Sequence, residues 1–179
     1  MHDFWLGFQL LLLLAVANNA PIATKRLLGD RWPCPLDGGF TLRDGRPVLG
    51  PSKTVRGVVA AVAACMLCAW LLGLAPGIGA TIGVVAMAGD ALSSFVKRRL
   101  AIEPSGRAFG IDQIPESLLP LLALQGSMGL SFLQIAAITA AFGLLEVPLA
   151  RMAHRIGSRE KCAFAVHTEG GPKQRGKCR

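Results

Sequence analysis

Residues 77–99 read GIGATIGVVAMAGDALSSFVKRR, an apolar run that meets an aspartate at position 90 and ends in three consecutive cations. A carboxylate near the end of a membrane segment is costly, so it usually has a function. If the stretch is one helix, Asp90, Ser94 and Lys97 fall at i, i+4 and i+7 and share a face. An acid, a hydroxyl and an ammonium on one face, beside a basic loop, suit a divalent metal and phosphate groups at a membrane surface.

The composition of the whole chain indicates a small polytopic membrane protein. Of the 179 residues, 52% are hydrophobic and 17% are charged, whereas soluble domains carry about 25% charged residues. Because a helix needs roughly 20 apolar residues to span a bilayer, we predict an all-α integral membrane protein with about five transmembrane helices and two loops that form the site. The apolar segments lie near residues 4–23, 57–75, 77–95, 111–128 and 129–149. The fourth is interrupted by acids and prolines and is predicted to be short, tilted or broken.

The placement of the basic residues predicts the orientation. All 19 Lys and Arg fall within residues 25–56, within residues 97–107, or from Arg151 onward. With five spans these groups share one side, which the positive-inside rule places in the cytoplasm. We therefore predict a multi-pass protein of the cell (inner) membrane with cytoplasmic catalytic loops. Residues 1–156 are predicted to form the membrane-embedded domain, and residues 157–179 a basic, disordered cytoplasmic tail.

Two carboxylates, Asp90 and Asp112, flank the second loop and are the predicted metal ligands. Mg²⁺ prefers oxygen ligands and often takes one or two carboxylates together with substrate phosphates. Cations of both loops suit phosphate charge: Lys53, Arg56, Lys97, Arg98, Arg99 and Arg107. Such a site would bind a nucleoside triphosphate and a phosphorylated lipid, and would act by positioning and charge stabilisation. The sequence contains no evident Ser/His/Asp or Cys/His set, so no protein nucleophile is predicted.

Each of these residues also has a structural interpretation. Asp90 can cap a helix or pair with Lys97, the cations at 97–99 can be a stop-transfer cluster, and Asp112 can be a helix N-cap. A rival function is a small transporter that uses Asp90 as an intramembrane ion site. A carrier needs access from both faces, whereas the loops suited to phosphate lie on one side. Burial of Asp90 at mid-membrane would favour the carrier, and a place at the membrane edge beside Asp112 would favour an enzyme.

Three further patterns predict local structure. The Asp-Gly pair at 44–45 predicts a short hairpin with strands near 39–43 and 46–49. Gly79 and Gly83 form a G-x-x-x-G pattern, which favours close helix packing. Two adjacent amides, Asn18 and Asn19, either make hydrogen bonds between helices or break the first helix.

Five stretches of the chain, taken in order, carry a family resemblance. They read ANNAP at 17–21, PLDGG at 35–39, DGRPVLGPSKTVRG at 44–57, GDALSSFVKRR at 89–99 and DQIPE at 112–116. These stretches resemble the CDP-archaeol synthase family, the short-form relatives of phosphatidate cytidylyltransferase. The longer bacterial enzymes carry a Lys-Asp pair and a His-Gly-Gly element that this chain lacks.

The resemblance implies a five-helix membrane enzyme that transfers CMP from CTP to a lipid phosphate, with magnesium, and releases pyrophosphate. The acceptor is a phosphatidate or its ether-lipid analogue; nucleic acid is not an expected partner, and a homodimer stays open. Asp90 and Asp112 fit the family's metal-binding acids. The residues predicted to be catalytic are Lys53, Ser94 and Lys97. Those predicted to bind the nucleotide are Asp37, Asp44, Lys53, Thr54, Arg56 and Arg98.

The helical register further separates the three cations at the end of the third segment. Lys97 lies on the Asp90 face, whereas Arg98 and Arg99 are rotated from it by about 100° and 200°. We therefore expect Lys97 to act at the reacting phosphate, and Arg99 to serve membrane orientation or lipid binding.

Overall fold

A computed structural model describes residues 2–29, 34–41, 47–50, 52–100 and 113–145. These residues contain no β-strand and form five helices, which confirms the all-α prediction. The helices are α1 (His2–Leu28), α2 (Val55–Leu71), α3 (Pro76–Arg99), α4 (Gln113–Met128) and α5 (Phe132–Leu145). The described residues as far as Gly143 form one compact unit. The predicted domain boundary after residue 156 lies outside the described residues and stays a prediction.

Two of the helices have the length of membrane segments, and the bundle carries an apolar surface. Among the described residues, α1 and α3 are long and apolar enough to cross a membrane, while α2 and α5 are shorter apolar helices. Large apolar side chains such as Phe4, Trp70 and Leu133 point outward, as a hydrocarbon surrounding requires. These features agree with the predicted polytopic membrane protein. Helix α3 continues through Asp90 to Arg99, so the predicted shared face of Asp90, Ser94 and Lys97 is confirmed.

The buried core draws side chains from all five helices, and α2 and α3 pack most closely through small residues. A β-carbon on Gly79 would lie 2.2 Å from the carbonyl oxygen of Cys65, and one on Gly83 would lie 2.8 Å from the Cα of Val62. The G-x-x-x-G pattern therefore forms the predicted close contact. Core residues from the five helices include Leu10, Leu13, Leu14, Cys65, Ala69, Ile82, Ala86, Leu121, Leu124, Ile135 and Phe142.

Gly73 reverses the chain between α2 and α3. Its φ of 76° is a left-handed conformation that favours glycine. The amide of Leu74 donates to Ala69 O over 2.8 Å, and the amide of Gly73 donates to Trp70 O over 3.1 Å. This pair of hydrogen bonds is the Schellman arrangement, which satisfies two carbonyls at the end of α2.

The first loop is tied at its base by backbone hydrogen bonds. Leu36 N donates to Lys53 O over 2.7 Å, and Val55 N donates to Cys34 O over 3.1 Å. Thr41 and Pro47 form an isolated antiparallel bridge, and Val48 N donates to Phe40 O over 3.0 Å, so the described parts of the two predicted hairpin arms pair without forming strands. Pro47 has no N–H to extend a ladder. The predicted turn at 44–45 lies outside the described residues.

Candidate active site

A cavity of about 260 Å³ lies between α1, α3 and the segment that leads into α2. Its walls combine an acid, two ammonium groups, an amide and two hydroxyls with apolar side chains. The polar lining residues are Asn18, Lys25, Ser52, Lys53, Thr54 and Asp90, and the remaining ones are Pro21, Ile22, Leu36, Gly57, Val58, Met87 and Ala91.

An ion pair joins two walls of the cavity, because Lys53 Nζ donates to Asp90 Oδ2. The two side chains are only 20% and 19% exposed, so their attraction is screened less than that of a surface pair. Lys53 is positioned through its backbone, since its carbonyl accepts from Leu36 and its amide donates to Gly50 O over 3.3 Å. The pairing partner of Asp90 thus comes from the first loop.

The start of α2 is held by two residues that the sequence predicted to bind nucleotide. Thr54 is the N-cap, and its Oγ1 accepts from Gly57 N over 3.2 Å, which satisfies a free amide of the first turn. Its hydroxyl proton remains available as a donor toward the cavity that Thr54 lines. Arg56 Nη1 donates to Gly29 O over 3.1 Å and so ties α2 to the end of α1.

Three predicted site residues near the end of α3 do not line the cavity. Ser94, Lys97 and Arg98 are all buried, but the α3 residues that line the cavity are Met87, Asp90 and Ala91. The structure therefore brings Lys53, Thr54 and Asp90 together, and leaves Ser94, Lys97 and Arg98 in the packed interior. Arg98 is 7% exposed and Lys97 is 9% exposed, so the rotation of about 100° between them does not bring Arg98 to the surface.

Arg99 contacts the first loop, a place that its helical rotation did not predict. Its Nη2 donates to Pro47 O over 2.9 Å, and its guanidinium carbon lies 5.4 Å from the centroid of the Phe95 ring. The expectation that Arg99 serves membrane orientation missed this contact, because helical register says nothing about a loop packed beside the helix.

Asp37 holds the backbone of the same loop through its carboxylate. Its Oδ2 accepts from Leu49 N over 2.9 Å and from Gly50 N over 3.1 Å, while its Oδ1 accepts from Gly39 N over 3.1 Å. These amides, that of Leu49 foremost, hold the pKa of Asp37 below its usual value, and partial desolvation opposes them. Both carboxylate oxygens thus bind the loop backbone. Asp44 and Asp112, the other predicted site acids, lie outside the described residues.

The start of α4 packs directly beside the acid of α3. A β-carbon on Gly89 would lie 2.4 Å from Pro115 O, so the two backbones touch one residue before Asp90. In the described part of the chain no three His, Cys, Asp or Glu side chains cluster as a metal site. Asp90 is the carboxylate that faces the cavity there.

Sequence reasoning missed Lys25 and undervalued Asn18 as cavity residues. Helix α1 runs unbroken through both amides, and Asn19 bonds within it, donating from Nδ2 to Ala15 O over 2.8 Å. Asn18 and Lys25 both line the cavity. A signal was present, because the two residues are spaced at i and i+7, like Asp90 and Lys97 on α3.

The membrane fold and this acid–cation cavity define a membrane-embedded enzyme of phosphate chemistry. No family model matches the chain. It is 36% identical over 152 residues to the CDP-archaeol synthase of Hyperthermus butylicus, covering 80% of this chain and 84% of that protein. It is also 36% identical over 147 residues to the CDP-archaeol synthase of Aeropyrum pernix, covering 79% and 80% of the two chains.

One solved structure is similar throughout most of its length. It is described as an intramembrane enzyme for archaeal membrane lipids biosynthesis, and it matches with a TM-score of 0.67 and 34% identity over 79% of this chain and 90% of that one. The chain belongs to the CDP-archaeol synthase family. It is therefore a cytidylyltransferase of the membrane, as the resemblance implied, and the transporter alternative is not supported.

Proposed function

We propose that the cavity around Lys53 and Asp90 is where this enzyme moves CMP from CTP to a membrane lipid phosphate. The observation that carries the proposal is the ion pair at the cavity wall. An ammonium and a carboxylate held together are the two groups that a nucleotide phosphate and its metal ion require. Both are supplied here by segments far apart in the chain.

The reaction needs no covalent intermediate on the protein. A non-bridging oxygen of the lipid phosphate attacks the α-phosphorus of CTP and forms a new P–O bond. The bond between the α-phosphorus and the oxygen leading to the β-phosphorus breaks, and pyrophosphate leaves with the electron pair. The protein contributes alignment and charge stabilisation, the effects that dominate such displacements.

Asp90 is proposed to hold Mg²⁺, with Asp112 as a second ligand. One cavity-facing carboxylate fits this ion, since Mg²⁺ commonly takes one or two carboxylates and fills its shell with phosphates and water. When bound, the ion would neutralise phosphate charge. The backbone contact between Gly89 and Pro115 supports the proposal that Asp90 and Asp112 share one ion. Gly89 directly precedes Asp90, and Asp112 lies three residues before Pro115.

The remaining residues take roles according to their places. Lys53 and Thr54 are proposed to donate to the CTP phosphates from the cavity wall. Ser94 and Lys97 stay predicted catalytic residues, and Arg98 a predicted nucleotide ligand. Support comes from their burial on α3 within three turns of Asp90, where positive charge acts through a poorly screened interior.

The acceptor is proposed to be an isoprenoid ether-lipid phosphate, since the relatives are named for archaeol. Purified enzyme would be incubated with labelled CTP, Mg²⁺ and either a di-isoprenyl glycerol ether phosphate or a diacyl phosphatidate. We expect a labelled CDP-lipid with the ether acceptor and less with the diacyl one. Preference for phosphatidate would overturn the acceptor assignment, and absence of any CDP-lipid would overturn the function. Asp90→Asn enzyme is the matched negative control.

The catalytic loops are proposed to face the cytoplasm, as the basic residues predict. Cysteines introduced at Asp3 and Gly176, in a background without the native cysteines, would be labelled by an impermeant reagent in intact cells. We expect only position 3 to react before lysis. Equal reactivity of the two positions would contradict the five-span orientation.

A further inference from the structure

The α1 wall of the cavity carries a stripe that the proposed CTP site does not use. Asn18, Ile22 and Lys25 are spaced at i, i+4 and i+7, and all three line the cavity. An amide, an apolar side chain and an ammonium therefore follow one another along a single helix face. We propose that Lys25 binds the phosphate of the acceptor lipid, an inference that rests on the proposed function of the cavity.

The order of residues along α1 matches the order of groups in a membrane lipid. Lys25 lies in the last turn of the helix, where the chain leaves its apolar segment. Ile22 lies almost one turn deeper and is 51% exposed, and Leu36 of the first loop, also at the cavity, is 40% exposed. A lipid phosphate at Lys25 would thus place the start of its chains against apolar side chains, which is the arrangement of a headgroup at a bilayer surface.

The opposite walls suit the nucleotide, which leaves the α1 wall for the acceptor. Lys53, in the segment before α2, pairs with Asp90 of α3, and Asp90 is the proposed metal ligand. A volume of about 260 Å³ lies below the roughly 300–1,000 Å³ of sites that enclose a whole small molecule. The cavity therefore accommodates reacting phosphates, while the lipid chains extend outside it along α1.

Lys25 also has a simpler role available, as a cation that anchors α1 at the membrane surface. The neighbouring Arg26 separates the two roles. It has the same charge, lies in the same last turn and is exposed, but it does not line the cavity. If both cations only anchor the helix, replacing either one should change the lipid KM similarly. If Lys25 binds the lipid phosphate, only its replacement should raise the lipid KM.

The test is steady-state kinetics of the full-length enzyme in neutral mixed micelles, with the ether-lipid phosphate varied at saturating CTP and CTP varied at saturating lipid. Lys25→Ala and Lys25→Met should each raise the lipid KM by about tenfold or more, the loss expected for one charge-assisted hydrogen bond. The CTP KM and the turnover at saturation should stay within about twofold, because a uniform binding contact is removed. Lys25→Arg should restore most of the lipid affinity, and Arg26→Ala should match the wild type.

Three results would overturn the inference. The first is an unchanged lipid KM in folded Lys25→Ala or folded Lys25→Met enzyme. The second is a rise in the CTP KM, which would make Lys25 a nucleotide ligand. The third is an equal rise in lipid KM from Arg26→Ala, which would indicate general surface charge. A wild-type enzyme that forms no CDP-lipid would instead refute the proposed function, so the two failures are distinguishable.

Discussion

Lys53 of the first loop donates from Nζ to Asp90 Oδ2 of α3, so a single ion pair joins residues 37 positions apart in the sequence. The pair closes the loop against the helix and lies in the wall of the cavity. Because each group is the partner of the other, both are held at the place where phosphate and metal are proposed to bind.

Removing either member of this pair should abolish most turnover. Asp90→Asn and Lys53→Met should each lower kcat by at least about 10²-fold, as expected for loss of one charge-stabilising group. The fold loss of kcat in the double variant should be much smaller than the product of the two single losses, since the residues act as a unit. Thr81→Ala, on the same helix but outside the cavity lining, is the control. Near-normal turnover in Asp90→Asn would make Asp90 a structural acid.

Arg99→Ala should reduce turnover although Arg99 does not line the cavity. The change removes the hydrogen bond to Pro47 O and the contact with Phe95, and so releases the loop that leads to Lys53. A small displacement of a positioned group costs up to about 10²-fold, and we expect a loss of at least about tenfold. Leu100, the next residue, is exposed, and the turnover of Leu100→Ala should match that of the wild type. Unchanged kcat in Arg99→Ala would favour the role in membrane orientation or lipid binding that the helical register suggested.

Asp37 should make the stability of the protein depend on acidic pH. Its pKa is lowered from 3.8 in the folded chain, so its contribution is present above pH 3.8 and is lost as the pH falls through the lower folded value. The thermal unfolding midpoint of Asp37→Asn should therefore lie below that of wild type near neutral pH, and the difference should shrink below pH 3.8. A difference that grows on acidification would show that the carboxylate does not hold the loop in its ionised form.

Gly79→Ala and Gly77→Ala should separate packing from helix propensity within one helix. The added methyl at Gly79 would lie 2.2 Å from Cys65 O, whereas at Gly77 it would meet nothing within 4 Å. Gly79→Ala should destabilise the protein by about 1–3 kcal/mol or more through overpacking, and Gly77→Ala should be neutral or stabilising by up to about 1 kcal/mol. Unfolding in detergent would measure both. Equal midpoints would mean that α2 and α3 do not pack through this face.

Local sequence determined the helices and much of the chemistry. Apolar segments of membrane length predicted five helices, and the spacing of Asp90, Ser94 and Lys97 predicted a shared face if α3 is one helix, which it is. The pattern of Gly79 and Gly83 predicted close packing, because only small residues allow two backbones to approach. These features depend on neighbours within one or two turns, so the sequence alone contains them.

Only the tertiary structure decided which of the candidate residues meet. Asp90 pairs with Lys53, Arg99 contacts Pro47, and Lys25 joins the cavity that Lys97 does not line. Each contact depends on the rotation and height of one segment against another. Those quantities are set by the packing of the whole bundle, and the spacing of residues within one helix does not specify them.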